Sequence, residues 1–266
     1  MNALDVESDR KELVKSAGLE YPYILPYWWR IVYILFYMGG SAIIAAGSYQ
    51  YIPGKGGSLY LGGLFFTAGS SGFIIVDIME WWTNMRVGCF HYEQYKDSYE
   101  RQYSPNFASE STWRGKFQRA ENGLIAMTAT IGSTFYLLGS IFFIPQYNMT
   151  LWGTYLFIVG SGIVSCAQVW RIRKNGSRNV SNLIDKTFKI SNTYQNIHVF
   201  IVNVLCLLAG LSYFIGSFYF LPKIDVDNLI SYEAGCWFFV GSMMDFASSA
   251  LIFYKFFFTE HFTLDE

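Results

Sequence analysis

The sequence predicts an all-α membrane protein, a helical bundle of six transmembrane helices arranged as three repeated hairpins. Hydrophobic residues make up 52% of its 266 residues and charged residues only 15%, whereas about a quarter of a soluble domain is charged. The charges are excluded from long apolar blocks. A helix satisfies its backbone polar groups within one lipid-embedded segment, so each block is predicted to be a helix. The third observation is a pattern of small residues that recurs along the chain.

Six apolar runs are long enough to cross a bilayer, which takes about 20 mostly apolar residues. The runs are Ile31–Ile52, Leu59–Ile78, Leu124–Ile144, Leu151–Trp170, Val199–Leu221 and Ser231–Phe257. They are too long and too uniformly apolar for the alternating strands of a membrane barrel. Very short connections separate the two runs of each pair, and long polar connections join the pairs. Each pair is therefore predicted to insert as a hairpin.

These connections define the predicted organisation of the chain. The predicted segments are an N-terminal segment (1–30), hairpin unit 1 (31–82), a tyrosine-rich linker (83–123), hairpin unit 2 (124–170), a basic linker (171–198), hairpin unit 3 (199–258) and a tail (259–266). The tyrosines of the first linker recur at helical spacing. Such a stripe is typical of a helix that lies on the membrane or on a partner, and a solvated linker is the alternative.

The first run of each pair carries a Gly-Ser dipeptide, and a proline follows the serine by five residues. The dipeptides are Gly47-Ser48, Gly139-Ser140 and Gly216-Ser217, and the prolines are Pro53, Pro145 and Pro222. The small residues seven positions before these glycines are Gly40, Gly132 and Ala209, and the second runs carry Gly69-Ser70, Gly160-Ser161 and Gly241-Ser242. A pattern of such long period indicates one structural unit written three times.

These small residues are predicted to pack helices. Seven residues are nearly two helical turns, so Gly40 and Gly47 share one helix face about 10 Å apart. Small side chains let helix backbones approach closely in lipid, where packing drives association. Each serine can donate a hydrogen bond to its own helix or to a neighbour. The packing can be within the chain or against other chains, and the alternative is that these faces line a pore or a backbone ligand site.

Positive charge is strongly segregated along the chain. The N-terminal segment, the two long linkers and the exit of the last run carry seventeen Lys and Arg residues, and the short turns carry two. The positive-inside rule therefore predicts that both termini and both long linkers face the cytoplasm, or the matrix of an organelle. Trp28, Trp29, Trp81, Trp82 and Trp170 lie at the same edge, where they are predicted to be interfacial anchors. Residues 1–20 lack the apolar core of a signal peptide, and the identity of the membrane is left open.

The paired runs also resemble a known family. Gly153 is followed seven residues later by Gly160-Ser161 in the second unit, and paired spans with Gly-Ser, Phe and Pro in this arrangement are similar to the YrhK-like family of small membrane domains. The resemblance is best in Ile131–Trp170, good in Leu207–Phe257 and weaker in Gly39–Ile78. It implies an integral membrane hairpin domain and lends no catalytic residue.

Asp245 is the sharpest candidate for chemistry. It lies inside the sixth run, and its neighbours at helical spacing are Gly241, Ser242, Ser248 and Ser249. This spacing predicts a carboxyl group on a small, polar face directed into the bundle. An ionisable residue at such depth is a candidate for handling an ion or a proton. A hydrogen bond that joins two helices is the alternative.

Asp77 is a second candidate for an ion or proton site. It shares a helix face with Glu80 near the end of the second run, and Gln168 occupies the corresponding position in the second unit. We expect these two carboxylates to be solvated and to pair with Arg30 or Arg86 rather than to bind a metal.

Other chemistries lack the residues that they need. The histidines are only His91, His198 and His261, too few for the histidine clusters of membrane desaturases or for a bis-histidine haem. Metalloprotease, hydrolase and phosphate-binding motifs are absent from the sequence. The cysteines of the apolar runs, predicted to be buried thiols, are Cys166, Cys206 and Cys236. We predict no enzymatic activity, no cofactor and no metal, and the lack of a basic domain argues against nucleic acid.

The sequence therefore favours a non-enzymatic protein of the lipid bilayer, a scaffold or accessory subunit that packs against other membrane subunits or against itself. A small channel or transporter, coupled to an ion or a proton through Asp245, is the alternative. An enzyme or cofactor carrier is a third hypothesis, disfavoured by the shortage of histidines. The partners, any ligand and the oligomeric state are left open.

Overall fold

The computed structural model describes residues 26–52, 58–86, 113–177, 187–194, 197–221 and 229–259. Regular structure within these ranges is helical, which confirms the predicted all-α class. The helices are α1 (Tyr27–Gln50), α2 (Leu59–Met85), α3 (Trp113–Phe142), α4 (Thr150–Gly176), the short α5 (Ile190–Thr193), α6 (Ile197–Tyr219) and α7 (Leu229–Tyr254). A 3₁₀ turn, Pro145–Tyr147, joins α3 to α4, and a π turn, Lys255–Thr259, follows α7.

Six of these helices are long and apolar enough to cross a bilayer, so the prediction of a multi-pass membrane protein is confirmed. The candidate spans are Tyr27–Gln50, Leu59–Met85, Ala120–Phe142, Thr150–Gly176, Ile197–Tyr219 and Tyr232–Phe258. Large apolar side chains such as Leu35, Trp152 and Met243 are exposed on the outside of the helices. Contact with lipid suits such a surface.

Three helices extend well beyond the predicted runs, and all do so at the same end of the bundle. Helix α2 continues to Met85, α3 begins at Trp113, and α4 continues to Gly176. A helix can continue past the hydrocarbon because its backbone hydrogen bonds are internal, so polar residues do not end it. Parts of the two predicted linkers are therefore helical. We call this end of the bundle the linker end, and the end with the short connections the turn end.

The six long helices form a closed ring. Each one packs against the next long helix along the chain, and α7 packs against α1. The first and third hairpins therefore close around a common centre. Gly235 of α7 lies at this closing contact, where an added Cβ atom would be 3.2 Å from the carbonyl oxygen of Ser48 and 3.6 Å from the Cβ atom of Tyr51.

Small residues bring the two helices of each hairpin into backbone contact. A Cβ atom on Gly40 would lie 3.0 Å from the carbonyl oxygen of Gly69, and one on Gly69 would lie 2.8 Å from that of Gly40. In the second hairpin, a Cβ atom on Gly132 would lie 3.0 Å from the carbonyl oxygen of Gly160, and one on Gly160 would lie 2.9 Å from that of Gly132. In the third hairpin, a Cβ atom on Gly241 would lie 3.1 Å from the carbonyl oxygen of Ala209. A larger side chain does not fit between backbones this close, so these positions require small residues.

The glycines nearer the turn end also contact the other helix of their own hairpin. A Cβ atom on Gly47 would lie 2.8 Å from the ring of Phe66, and one on Gly216 would lie 2.8 Å from the ring of Phe238. At Gly139 the neighbour is the carbonyl oxygen of Gly153, at 3.0 Å. The small faces of the sequence pattern are thus occupied by contacts within the chain.

The paired serines satisfy their hydroxyl groups inside the bundle. Five of them donate to the carbonyl oxygen four residues earlier, at 2.5–2.8 Å: Ser48, Ser140, Ser161, Ser217 and Ser242. The sixth, Ser70, makes a hydrogen bond between hairpins, with its hydroxyl oxygen 2.9 Å from that of Ser140. Back-bonding of this kind buries a hydroxyl without leaving it unsatisfied.

Three phenylalanines, one from each hairpin, meet at the centre of the ring. They are Phe66, Phe157 and Phe238, and we call them the central triad. Their ring centroids are 6.1 Å apart for Phe66 and Phe157, and 5.4 Å apart for the other two pairs. Each lies three residues before the glycine of the second Gly-Ser dipeptide of its hairpin.

The central triad lies between two further layers of side chains. Toward the turn end, the layer consists of Tyr51, Phe143 and Phe220, with ring centroids 5.0–6.2 Å apart. Toward the linker end, the layer consists of Ile44, Tyr136 and Tyr213, with the two tyrosine rings 5.7 Å apart. These three layers fill the turn-end half of the ring centre with packed side chains.

Candidate functional site

The linker-end half of the ring centre contains a half-open cavity of about 80 Å³. All six long helices contribute to its wall, and Tyr136 and Tyr213 form its floor above the central triad. A space of this size holds several water molecules or one small organic ligand. Its wall combines ionisable, hydroxyl and amide groups with aromatic rings, which is an unusual content for the centre of a membrane bundle.

Asp245 lies on this wall, on α7, and is only 7% exposed. The Tyr213 hydroxyl donates a hydrogen bond to its Oδ2 atom at 3.1 Å and also lies 3.2 Å from the hydroxyl of Ser242. The Ser248 hydroxyl donates to the backbone carbonyl of Asp245 at 2.8 Å. The carboxyl group is thus oriented by α6 and directed into the cavity rather than toward lipid.

Asp77 lies on the same wall, on α2, and is half-buried. The Ser133 hydroxyl on α3 donates a hydrogen bond to its Oδ2 atom. Asp77 lies eleven residues after Phe66, whereas Asp245 lies seven residues after Phe238. Because these two phenylalanines are stacked on each other, the four extra residues put Asp77 about 6 Å nearer the linker end.

The expectation that Asp77 and Glu80 are solvated and pair with Arg30 or Arg86 is wrong. Glu80 forms its ion pair with Arg171 of α4, at 2.7 Å, with both side chains 24% exposed on the cavity wall. Arg30 donates instead to the carbonyl oxygen of Phe256 at 2.9 Å. The physical reason is that α2 continues past the apolar run, so Asp77 lies two helical turns inside the helix and not at its end.

Gln168 of α4 also borders the cavity, at the position that corresponds to Asp77 in the second hairpin. Its side chain is 8% exposed, and its Oε1 atom has no hydrogen-bond partner within the described part of the chain. An unsatisfied buried polar atom costs about 1–3 kcal/mol. A bound ligand or water in the cavity would remove this cost.

A compact hydroxyl and thiol cluster lies beside Asp245. The Tyr37 hydroxyl lies 2.8 Å from the Ser248 hydroxyl and 3.1 Å from the Cys206 sulfur. These groups connect α1, α6 and α7 next to the cavity. No group of three His, Cys, Asp or Glu side chains converges as a metal site among the residues that the structure describes.

Sequence reasoning missed most of this wall, including Tyr37, Ser133, Tyr136, Tyr213 and Arg171. A signal for some of them was present in the spacing. Tyr136 and Tyr213 lie three residues before the glycines of the first-run dipeptides, as Ile44 does in the first hairpin. Residues at one fixed offset from an aligned motif face the same way on each helix, so the offset would have identified them.

The predicted burial of the three apolar-run cysteines is correct only for Cys206. Cys166 is exposed and Cys236 is half-buried. Both lie on spans with a lipid-facing surface, where an apolar thiol needs no protein around it. Trp29, predicted to be an interfacial anchor, is instead buried in the bundle, where its ring stacks on that of Tyr33 with the centroids 5.0 Å apart.

Several predictions concern residues outside the described ranges. The segment before residue 26, the tyrosine-rich residues 87–112 and the tail after residue 259 belong to this group, as do His91 and His261. Predictions made for them stay predictions.

Comparisons with protein-family models, with curated proteins and with solved structures find no match for this chain. The resemblance to the YrhK-like family therefore stays a prediction. What the protein does has to be inferred from the site itself.

Proposed function

We propose that this protein is a membrane transporter that binds a small cation in the cavity between its helices. The observation that carries the proposal is that two carboxyl groups from different helices, Asp77 and Asp245, share one cavity inside an apolar bundle. Neither is in an ion pair with a described residue. Carboxyl groups at such depth are costly and mark ion or substrate sites in membrane proteins.

The packed side chains of the turn-end half support a transporter rather than an open channel. Solute in the cavity would meet the Tyr136–Tyr213 layer and the central triad before it reached the turn end. Release on that side would require these layers to separate, which is the behaviour of a gated transporter. Access from the linker end would pass the partly exposed ion pair of Glu80 and Arg171.

The scaffold or accessory-subunit hypothesis has less support than transport. It depended on small-residue faces that could pack against other chains. The contacts of these glycines and serines lie within one chain, and large apolar side chains cover the outside of the spans.

We also propose transport rather than catalysis, because the sequence lacks nucleophile and histidine motifs.

We propose in addition that the three hairpins are copies of one unit of the YrhK-like kind. The support for this proposal is that residues at equal offsets from the Gly-Ser dipeptides make equivalent contacts, as in the central triad. In a copied unit, Asp245 and Asp77 would be later additions to a common apolar frame. The positions equivalent to Asp245 in the first and second hairpins are occupied by Phe73 and Val164, respectively.

Cation flux in proteoliposomes tests the proposed function. The purified protein would be given gradients of protons, sodium, potassium and ammonium, with ion-sensitive dyes as the readout. Wild-type vesicles should show flux of at least one of these ions. Asp245→Asn should reduce that flux by about tenfold or more, since a contact to a charged group contributes about 1.5–3 kcal/mol.

Glu233→Gln is the matched control for this substitution. Glu233 is an exposed carboxylate on the same helix as Asp245, so both changes remove one negative charge from α7. The control should transport at the wild-type rate. The absence of any flux from folded wild-type protein, or equal flux from Asp245→Asn and wild type, would contradict the proposal.

A further inference from the structure

The chemistry of the cavity wall identifies the kind of cation that fits it, on the condition that the proposed function is correct. Hydrogen-bond acceptors and aromatic rings face the same small space. Acceptors select for a ligand that donates hydrogen bonds, and the negative faces of aromatic rings attract a cation. Metal ions, including the alkali cations, are attracted as cations but donate no hydrogen bond to the acceptors.

The acceptors come from three helices. The carboxylates of Asp77 and Asp245 receive hydrogen bonds from Ser133 and Tyr213, respectively. A carboxylate accepts about four hydrogen bonds, so each retains acceptor capacity toward the cavity. Gln168 adds a third acceptor, because its buried Oε1 atom lies at the same wall without a hydrogen-bond partner among the described residues.

The aromatic part of the wall lies around these acceptors. Tyr33, Tyr37, Phe73, Tyr136 and Tyr213 all border the cavity. The negative face of an aromatic ring attracts a cation within about 6 Å of its centroid, most strongly where water is excluded. Apolar side chains complete the wall, so a ligand with a short hydrocarbon part would also find contact there.

The carboxylates are poorly arranged for a metal ion. The backbone positions of Asp77 and Asp245 are offset by about 6 Å along the bundle axis, and no third acidic, histidine or cysteine side chain of the described chain joins them as a ligand group. A donor with several N–H groups on one centre can instead bridge acceptors at different levels. An ammonium group with three N–H donors has this property.

We propose that the cavity binds a primary ammonium group, carried by a small organic cation of a few non-hydrogen atoms. The ammonium would lie between Asp77, Asp245 and Gln168, and its short alkyl part would contact the surrounding rings. The volume of about 80 Å³ suits one of the smallest alkylamines. Affinity is expected to be in the millimolar range, because binding free energy is limited by the number of ligand atoms.

Thermal unfolding of the full-length protein in mild detergent tests this inference. Methylammonium chloride would be compared with tetramethylammonium chloride and potassium chloride at constant ionic strength. Methylammonium should raise the unfolding temperature in a saturable manner, since a ligand of the native state stabilises it by mass action. Tetramethylammonium, which has no N–H donor, and potassium should not.

The variants separate the contributions of the wall. Asp245→Asn should weaken methylammonium binding by roughly tenfold to a hundredfold, and Gln168→Leu by several-fold. Glu233→Gln should bind as the wild type does. If Asp245→Asn does not fold, Gln168→Leu and competition by tetramethylammonium on the wild-type protein still decide the question.

The outcomes distinguish this inference from the proposed function. Equal stabilisation by tetramethylammonium or by potassium would overturn the assignment of an ammonium donor. Asp245-dependent flux of an alkali ion without methylammonium binding would overturn it too, but would leave the proposed transporter function intact. The absence of both binding and flux would contradict both.

Discussion

The backbone contact between Gly40 and Gly69 gives a sharp prediction about stability. An alanine at position 69 would bring its Cβ atom into the Ile44 side chain and within 2.8 Å of the Gly40 carbonyl oxygen. The side chain can rotate away, but the backbone oxygen moves only if α1 and α2 separate. Gly39 is the matched control, because a Cβ atom there would meet nothing within 4 Å.

The two substitutions share one favourable contribution and differ in one cost. Alanine is more favourable than glycine in a helix by about 0.8–1.0 kcal/mol, at either position. Overpacking at position 69 costs about 1–3 kcal/mol. Gly69→Ala should therefore be less stable than Gly39→Ala by about 1–3 kcal/mol, or roughly 2–12 °C in unfolding temperature.

The assay is thermal unfolding of both variants in the same detergent, followed by tryptophan fluorescence and checked by size-exclusion chromatography. Gly39→Ala should unfold at or above the wild-type temperature, and Gly69→Ala at or below it, because its net cost is about 0–2 kcal/mol. Equal unfolding temperatures for the two variants would refute the close backbone contact between α1 and α2.

Three further predictions concern the ring centre, the ion pair and the orientation of the chain. Phe157→Ala should destabilise the protein by about 3–5 kcal/mol, because it removes one member of the central triad; a wild-type unfolding temperature would contradict the packed centre. Arg171→Met should lower the free energy of unfolding by about 1–3 kcal/mol, a value between those for exposed and buried ion pairs. The double variant Arg171→Met with Glu80→Gln should be more stable than Arg171→Met alone. Equal stability of the two variants would mean that Glu80 and Arg171 are not coupled. Tags at both termini should be protected from added protease in intact cells and digested after permeabilisation, as the charge bias predicts; cleavage of either tag in intact cells would reverse the orientation.

The spans could be predicted from sequence because lipid imposes a strong local rule. A run of about 20 apolar residues has to be a helix, whatever its neighbours are. The ends of the helices were harder to predict. Met85 and Trp113 lie in polar sequence, where hydropathy carries no signal and helix continuation depends on tertiary contacts.

The site could be predicted only in part. Asp245 stood out because a charge inside an apolar run is conspicuous in any sequence. Asp77 lies near the end of its apolar run in the sequence, although α2 continues two turns beyond it. The meeting of Asp77 and Asp245 depends on closure of the ring, which brings α2 and α7 to one centre. Closure is a property of packing between distant helices, and no local pattern encodes it.

Closure of the ring is the central claim, because the cavity exists only if α1 packs against α7. A disulfide cross-link tests it most directly. The Cβ atom of a cysteine at position 235 would lie 3.6 Å from that of residue 51, which is within the usual 3.5–4.5 Å of a disulfide. The pair Tyr51→Cys and Gly235→Cys, in a chain whose native cysteines are replaced by serine, is therefore expected to cross-link.

A protease site introduced into the tyrosine-rich linker makes the cross-link visible, because cleaved chains stay joined on a non-reducing gel only if the disulfide forms. The control pair is Gly39→Cys with Gly235→Cys, since position 39 lies about 18 Å along α1 from position 51. The account predicts efficient, intramolecular cross-linking of the first pair and none of the second. Failure of the first pair to cross-link in folded protein would contradict the closed ring, and with it the cavity.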